Sequence, residues 1–256
     1  MGDPGGRMRN IKLIVQYDGT GLAGFQAQPA QRTIQGELER HLGKICGHAI
    51  RVIGAGRTDA GVHALGQVVN FQTHGTVPTD RIPVALNSLL SRQIAVTAAE
   101  EVASSFHAQY DARGKAYRYS MLNRPCRSPF LDRFAWHVPK PLDMAGMQAG
   151  AEYLVGRHDF TSFCAAKAEA ADRRRELLAA DWAKSGDVLG LTLVANGFLH
   201  NMARIIVGTL VEVGLGRRSA EAVRTALEAR ERAAAGRTAP PHGLCLLRVI
   251  YDEVSA

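Results

Sequence analysis

Several things are scarce in this 256-residue chain, and each scarcity closes a class of function. No window approaches the roughly 18 consecutive apolar residues that a membrane-crossing helix needs. The opening MGDPGGRMRNIKLIVQYDG has no long apolar stretch ahead of a small-residue cleavage site, so it does not read as a secretory signal. Residues 1–9 are instead expected to form a flexible leader. Only four cysteines are present, Cys46, Cys126, Cys164 and Cys245. They are scattered, with no C-x-x-C pair and no histidine at zinc spacing, which argues against a structural zinc site and against a disulfide framework. Free thiols in a reducing cytoplasm are the expectation. Low-complexity linkers and short-period repeats are also missing.

Lysine is scarce too. It supplies 6 of the 31 basic residues, so arginine carries most of the +7 net charge. Arginine suits bidentate phosphate contacts and stacking on bases. An arginine excess can also follow genome composition. The charge is therefore compatible with a polyanionic partner without establishing one.

What is present reads as an α+β chain in two similar halves, 10–109 and 110–256. In the first half Ile11, Leu13, Val15 and Tyr17 alternate as a strand. Thr33 is a fair N-cap for a helix carrying Ile34, Leu38, Leu42 and Ile45, and Gly47 sits where the C-cap belongs. Short strands are expected at 50–53 and 67–71, a helix over 79–90 despite Pro83, and a strand over 94–102. In the second half strands are expected at 116–122, 177–182, 188–195 and 244–251. Asp143 can cap a helix closed by Gly156, an apolar helix is expected over 198–213, and a capped surface helix over 219–230. Tandem βαβ signals are missing, so the expected sheets are mixed or antiparallel. The two sheets are expected to meet, leaving a cleft.

The densest stretch is GAGRTDAGVHALGQVVNF, residues 54–71. A Walker A loop needs Lys-Ser/Thr after its last glycine, and Val62-His63 stands there. A Rossmann fingerprint from Gly54 needs a third glycine at the position of Asp59, whose carboxylate would repel a pyrophosphate. Asp59 and His63 supply at most two zinc ligands. Composition alone leaves a tight turn between strands, although a pure turn has no need of Arg57 and Asp59 flanking a threonine.

Gly56-Arg57-Thr58-Asp59-Ala60-Gly61-Val62-His63-Ala64 resembles the signature of the tRNA pseudouridine synthase A (TruA) family. Other segments agree in order: Tyr17-Asp18-Gly19, then Gly24-Phe25-Gln26-Ala27-Gln28, with Phe25 where the family has Trp. Phe106-His107-Ala108, Lys115-Ala116-Tyr117-Arg118-Tyr119 and Gly156-x-His158-Asp159-Phe160 follow. So do Phe198-Leu199-x-x-Met202-x-Arg204-x-Ile206-Val207-Gly208 and Gly243-Leu244-x-Leu246. The resemblance spans nearly all of residues 11–252, with residues 165–176 divergent.

The resemblance implies the pseudouridine synthase fold with a central basic cleft, and isomerisation of uridine to pseudouridine in the anticodon stem-loop of tRNA, at positions 38–40. The reaction breaks C1′–N1 and rejoins the base through C5, so no cofactor and no metal is expected. The resemblance assigns Asp59 as nucleophile, since carboxylates can form covalent intermediates. Burial under a base would raise its pKa, so a cation is required beside it, and Arg204 is the candidate. Arg57 would fill the stack vacated by the extruded uridine. Tyr117 would stack on the target base, and Leu244 and Leu246 would form an apolar floor. His63 is expected to hold the loop. Arg113, Lys115, Arg118, Arg124, Arg127 and Arg173–Arg175 are candidate phosphate contacts, each also readable as a solvated face. A cytoplasmic homodimer sharing one tRNA, with no membrane association, completes the expectation. A non-catalytic RNA-binding module on the same scaffold is the alternative.

Overall fold

The computed structural model describes residues 7–166 and 172–252. Residues 1–6 of the expected leader, and 167–171 of the divergent 165–176 segment, lie outside the described residues. The leader is shorter than expected, because the first strand, β1 (Arg9–Tyr17), already includes Arg9. Its guanidinium is anchored to four residues: to Glu101 at 3.0 Å, to the carbonyls of Gly75 and Val77 at 3.1 and 2.9 Å, and to Thr79.

By its internal contacts the chain forms two units. The first runs to Ala112 and takes back Leu246–Tyr251; the second takes Arg113–Cys245. The closing strand, expected with the second half, thus gives most of its length to the first.

In the first unit β1 lies between β3 (His63–Thr73) and β4 (Ile94–Val102), antiparallel to both. The short β2 (Ile53–Gly54) pairs with β3. Alternation along β1 puts Ile11, Leu13 and Val15 out of solvent, as a half-buried strand requires. Helix α1 (Ile34–Cys46) begins at Thr33, whose hydroxyl accepts from the Gly36 N–H, and ends at Gly47 with φ 76°. It buries Ile34, Leu38 and Leu42, while Ile45, the fourth residue of the stripe read from the sequence, is half-buried. A 3₁₀ turn (Thr79–Arg81) leads into α2 (Ile82–Leu89), where Pro83 sits in the first turn, the one place a helix tolerates it.

The return of the chain is built into β3. A Cβ on Gly66 would stand 2.5 Å from the Leu247 carbonyl oxygen, so only glycine lets the two backbones approach this closely. Tyr251 then donates its hydroxyl to the Ala108 carbonyl at 2.8 Å. Phe106, Val249 and Tyr251 pack on Ala55, Val68 and Ala108.

The second unit carries β5 (Gly114–Leu122), β6 (Trp136–His137), β7 (Gly156–Asp159), β8 (Arg174–Ser185) and β9 (Val188–Ala195). The order β5-β9-β8-β7 is antiparallel throughout, and β6 runs parallel to β5, so this sheet is mixed. The helices are α3 (Met144–Glu152), α4 (Met202–Gly214) and α5 (Glu221–Ala229). Asp143 caps α3 by accepting from the Gly146 N–H. Gly156, expected to close that helix, opens β7 instead. The closing strand β10 spans Leu244–Ile250.

Two helix boundaries differ from expectation. The helix expected from Phe198 starts at Met202, because Asn201 takes φ 63° and breaks the register; asparagine is among the few residues that reach this region at modest cost. The expected helix over 219–230 begins at Glu221, although the Ser219 hydroxyl still accepts from the Ala222 N–H at 3.3 Å. Among the described residues no helix is long and apolar enough to cross a membrane.

Candidate active site

The stretch that composition left as a turn is a turn with unusually dense support. The Asp59 carbonyl accepts from the Val62 N–H at 3.1 Å, and Gly61 takes φ 78° within that turn. The residues on either side of Asp59 are fixed from below. Thr58 is buried, with its hydroxyl 2.8 Å from the Tyr17 hydroxyl. Its carbonyl accepts from the Phe25 N–H at 3.0 Å. Gln67, fully buried on β3, donates to the Gly56 carbonyl at 2.9 Å and to the Tyr17 hydroxyl at 3.3 Å. Buried polar side chains satisfied in this way specify one loop conformation.

Segments far apart in sequence supply this bracing. Gly24 has φ 90°, and a Cβ there would stand 2.7 Å from the Thr58 carbonyl oxygen. A Cβ on Gly54 would meet the Phe25 ring at 2.4 Å. Gly54 therefore makes room for a packed ring, and Gly61 serves the turn. His63 is buried, and its Nδ1 accepts from the Gly19 N–H at 3.1 Å. The Asp18 carboxylate is 3.2 Å from the same nitrogen. One ring nitrogen cannot accept from the amide and donate to the carboxylate at once. Asp18 in turn accepts from the Thr20 N–H at 3.0 Å. His63 thus ties the loop to the Tyr17-Asp18-Gly19 segment, the holding role expected of it.

On this platform Asp59 is half-buried. Arg57 points its charge outward: it is exposed, and no described residue pairs with it. Sequence reading took the nine-residue signature but missed its supports, Tyr17, Gly24 and Gln67. The only signal for two of these was the Tyr-Asp-Gly and Gly-Phe-Gln resemblance upstream.

The second unit carries the other candidates. Tyr117 is buried on β5 and meets Phe198 edge-on, with ring centroids 4.9 Å apart. Arg204, half-buried in the first turn of α4, donates from Nε to the Ala239 carbonyl at 2.8 Å and from Nη1 to Asn201 Oδ1 at 2.8 Å. The left-handed Asn201 is thus also what steadies this guanidinium. The 236–239 segment lies along α4. Ala239 N–H donates to the Arg204 carbonyl at 3.0 Å, and Gly236 N–H donates to Thr209 at 2.9 Å. Gly208 permits this approach, since a Cβ there would stand 1.8 Å from the Arg237 carbonyl oxygen.

Leu244 follows a 3₁₀ turn, Pro241–Gly243, that Tyr119 positions. The Tyr119 hydroxyl donates to the Pro240 carbonyl at 2.8 Å, and its ring fills the space a Cβ on Gly243 would need. Burial pushes the Tyr119 phenol far above its ordinary range, against the opposing pull of Arg204 and Arg237. In the fold it serves as a donor that holds the Pro240 carbonyl. Leu244 and Leu246 are both buried. Asp59, Arg57 and Leu246 belong to the first unit, and Tyr117, Arg204 and Leu244 to the second. Among the described residues no group of three or more His, Cys, Asp or Glu is placed to hold a metal ion.

The candidate phosphate contacts are not alike. Arg124 and Arg127 are engaged, with Asp187 at 3.4 Å and Asp132 at 3.0 Å. Arg118 lies over Gly190. Arg113 is exposed, and Lys115 is not.

Comparison with known proteins falls on the same residues. The family model described as tRNA pseudouridine synthase matches residues 13–111 and 151–252. A tRNA pseudouridine synthase A of Brevibacillus brevis is 48% identical over 244 residues, covering 95% of this chain and all of that protein. One from Halalkalibacterium halodurans is 52% identical, covering 93% and 90%, and one from Anoxybacillus flavithermus 49%, covering 96% and 100%. The family model leaves out 112–150, where Tyr117 lies, but the full-length relatives span it. With both parts of the family model matched in order and the relatives aligned nearly end to end, the chain belongs to the tRNA pseudouridine synthase family.

Proposed function

We propose that this protein isomerises uridine to pseudouridine in the anticodon stem-loop of tRNA, at positions 38–40, with Asp59 as the nucleophile. As a member of its family it is an isomerase acting on tRNA. The glycosidic C1′–N1 bond breaks, the base turns, and C1′ joins C5. The proton on C5 leaves to solvent and N1 gains one, so atoms balance with no change of oxidation state. The reaction asks the protein for an ionised carboxylate, held still beside the sugar and base.

The observation that carries the reading is the bracing of Asp59. Its turn is fixed on both sides by Tyr17, Gln67, Phe25 and the close approach of Gly24. This is more support than a surface turn requires, and it is what a preorganised catalytic group needs. The exposed Arg57 guanidinium, with no acidic partner among the described residues, is available to enter the stack when the uridine leaves it. Arg204 supplies the counter-charge in this reading, presented by a guanidinium already oriented at Nε and Nη1. Tyr117 stacks on the base, and Leu244 and Leu246 close the apolar side. The enzyme works in the cytoplasm as a homodimer, without cofactor or metal.

Tritium release from C5 of uridine-labelled, unmodified tRNA tests the assignment. Wild type releases tritium. Asp59→Asn binds the tRNA and releases none, and Arg204→Met loses turnover more than binding. Equal release from wild type and Asp59→Asn refutes the nucleophile. Binding without release by either protein favours an RNA-binding module on this scaffold.

A further inference from the structure

Lys115 stands two residues before Tyr117 on β5, so the two side chains leave the same face of the strand. Across the sheet Lys115 is opposite Ala195 of β9, and Ala195 is opposite Leu177 of β8. Directly paired residues share a face, and so do residues two apart along a strand. Arg175, two before Leu177, therefore joins them. One end of this face presents an aromatic ring and two cations.

Of the two cations Lys115 is the more withdrawn, and Arg175 is half-buried. Lys115 is largely withdrawn from water, and its pKa is pushed down, first by burial and then by the Arg175 charge. Arg175 is held in place from its own strand: Nη1 donates to the carbonyls of Asp172 and Arg174 at 3.0 and 2.6 Å. Its Nε side lies over Gly197, 3.4 Å from where a Cβ there would stand, an ordinary contact distance. No carboxylate among the described residues forms an ion pair with either cation. Two like charges held close together, one of them withdrawn from water, oppose folding unless an anion completes the site. Arg124 and Arg127, by contrast, already hold acids.

We propose that Lys115 and Arg175 together hold a phosphate of the RNA backbone beside the uridine that stacks on Tyr117. The proposal rests on the reading of Tyr117 as the base-stacking residue. Side chains two apart on one strand face are separated by about 7 Å, within the reach from a nucleotide's base to its own phosphate. A planar ring and a cation pair at that spacing match one nucleotide: the ring takes the base and the cations its phosphate. Lys115 and Arg175 are positioning residues here, fixing the nucleotide while Asp59 acts on it.

The test uses full-length tRNAs assembled by ligation, each with one neutral methylphosphonate in place of a backbone phosphate near the target uridine. For wild type one substitution weakens binding by about tenfold, the loss expected for a charge-assisted contact. Lys115→Ala weakens binding of unmodified tRNA by a similar factor and is insensitive to that same methylphosphonate. Its loss falls on KM rather than kcat, Lys115→Arg restores most of it, and the slope of log K against log salt becomes shallower by about 0.7–0.9, one phosphate's worth. Inorganic phosphate at millimolar levels does not restore the variant, as the contact belongs to the polymer. If Lys115→Ala does not fold, Lys115→Met keeps the apolar stem for the same measurements. Equal sensitivity of wild type and variant to every methylphosphonate overturns the proposal. So does a variant that loses kcat at unchanged KM and salt slope, which would make Lys115 a support for Tyr117. Should the wild type release no tritium yet show the position-specific coupling, the phosphate site stands and the catalytic reading falls.

Discussion

Gly24→Ala is a small change with a calculable effect on the Asp59 loop. Gly24 has φ 90°, where an alanine costs about 1–2 kcal/mol. The added methyl would stand 2.7 Å from Thr58 O, 3.1 Å from Ala60 N and 3.2 Å from Asp59 C. Carbon contacts settle near 3.5 Å, so the two backbone segments must separate by roughly 0.5 Å or more. All three contacts are backbone atoms and cannot rotate away. The Phe25 N–H bond to the Thr58 carbonyl spans the same gap and loosens with it, at about 1 kcal/mol. The sum is about 2–3 kcal/mol, or roughly 5–10 °C in Tm for a chain of this length. The displacement acts on the residue that the proposed mechanism uses. Since a misplacement of about 1 Å can cost around a hundredfold, half of that lowers kcat by about tenfold. The assay is tritium release at saturating tRNA, well below the variant's midpoint, with thermal melting alongside. Gly21→Ala is the control. It also has positive φ, 72°, but nothing lies within 4 Å of its added Cβ. It therefore loses about 1 kcal/mol of stability and keeps turnover. If Gly24→Ala retained wild-type kcat, or if both variants lost activity equally, the coupling of Gly24 to Asp59 would be wrong.

Other perturbations probe the remaining supports. Gly208→Ala should destabilise the protein by about 3 kcal/mol in urea unfolding, because the new methyl meets the Arg237 carbonyl oxygen. Wild-type stability would mean that the 236–239 segment is not seated on α4. Asp159 accepts from the Thr161 hydroxyl at 2.6 Å and its N–H at 3.0 Å. The hydroxyl bond first, then the N–H bond and the Arg230 and Arg174 charges, hold its carboxyl below the usual range against its partial burial. A folded pKa below the unfolded value near 3.9 means full stabilisation above about pH 4, lost as pH falls through the folded pKa. Asp159→Asn should thus cost about 1 kcal/mol at neutral pH, with melting curves converging on wild type in strong acid; a constant gap would refute the linkage. At the alkaline end, burial raises Tyr119 and Tyr251, the latter also through Asp111. Their folded pKa values exceed the unfolded value near 10, so their stabilisation is full below about pH 10 and is lost above it. Ultraviolet titration should show two phenols ionising only as the protein unfolds.

The parts of the fold that were legible in the sequence are those written in local chemistry. Helix α1 shows its start in Thr33, its stripe in Ile34, Leu38 and Leu42, and its end in Gly47, and the structure uses each of these. The late helix was read four residues too long because the apolar pattern runs on through Phe198 and Leu199. What stops it is a backbone angle at Asn201, which periodicity does not encode. Strand β3 was read too short at its N-terminal end, since the turn residues of the signature hide a ladder that starts at His63. At the site, Asp59 and Arg57 stood out as mixed chemistry in a dense signature. The contact of Gly24 with Thr58, and of Gly208 with Arg237, joins segments some thirty residues apart in the chain, and no local pattern announces it. Lys115 looked like one more surface cation, because burial at a strand end depends on what neighbouring strands place beside it.

The return of Leu246–Tyr251 to the first unit sets a timetable for synthesis. The first hundred or so residues leave the ribosome with β1, β3 and β4 in hand but with the edge of β3 at Gly66 still lacking its backbone neighbour. The whole of the second unit must be made before that neighbour exists. The early intermediate therefore carries an open strand edge and an uncovered apolar patch around Ala55, Val68 and Ala108, the kind of surface on which chains pair wrongly. The first unit is completed only when Leu246–Tyr251 has been made and has come back to it.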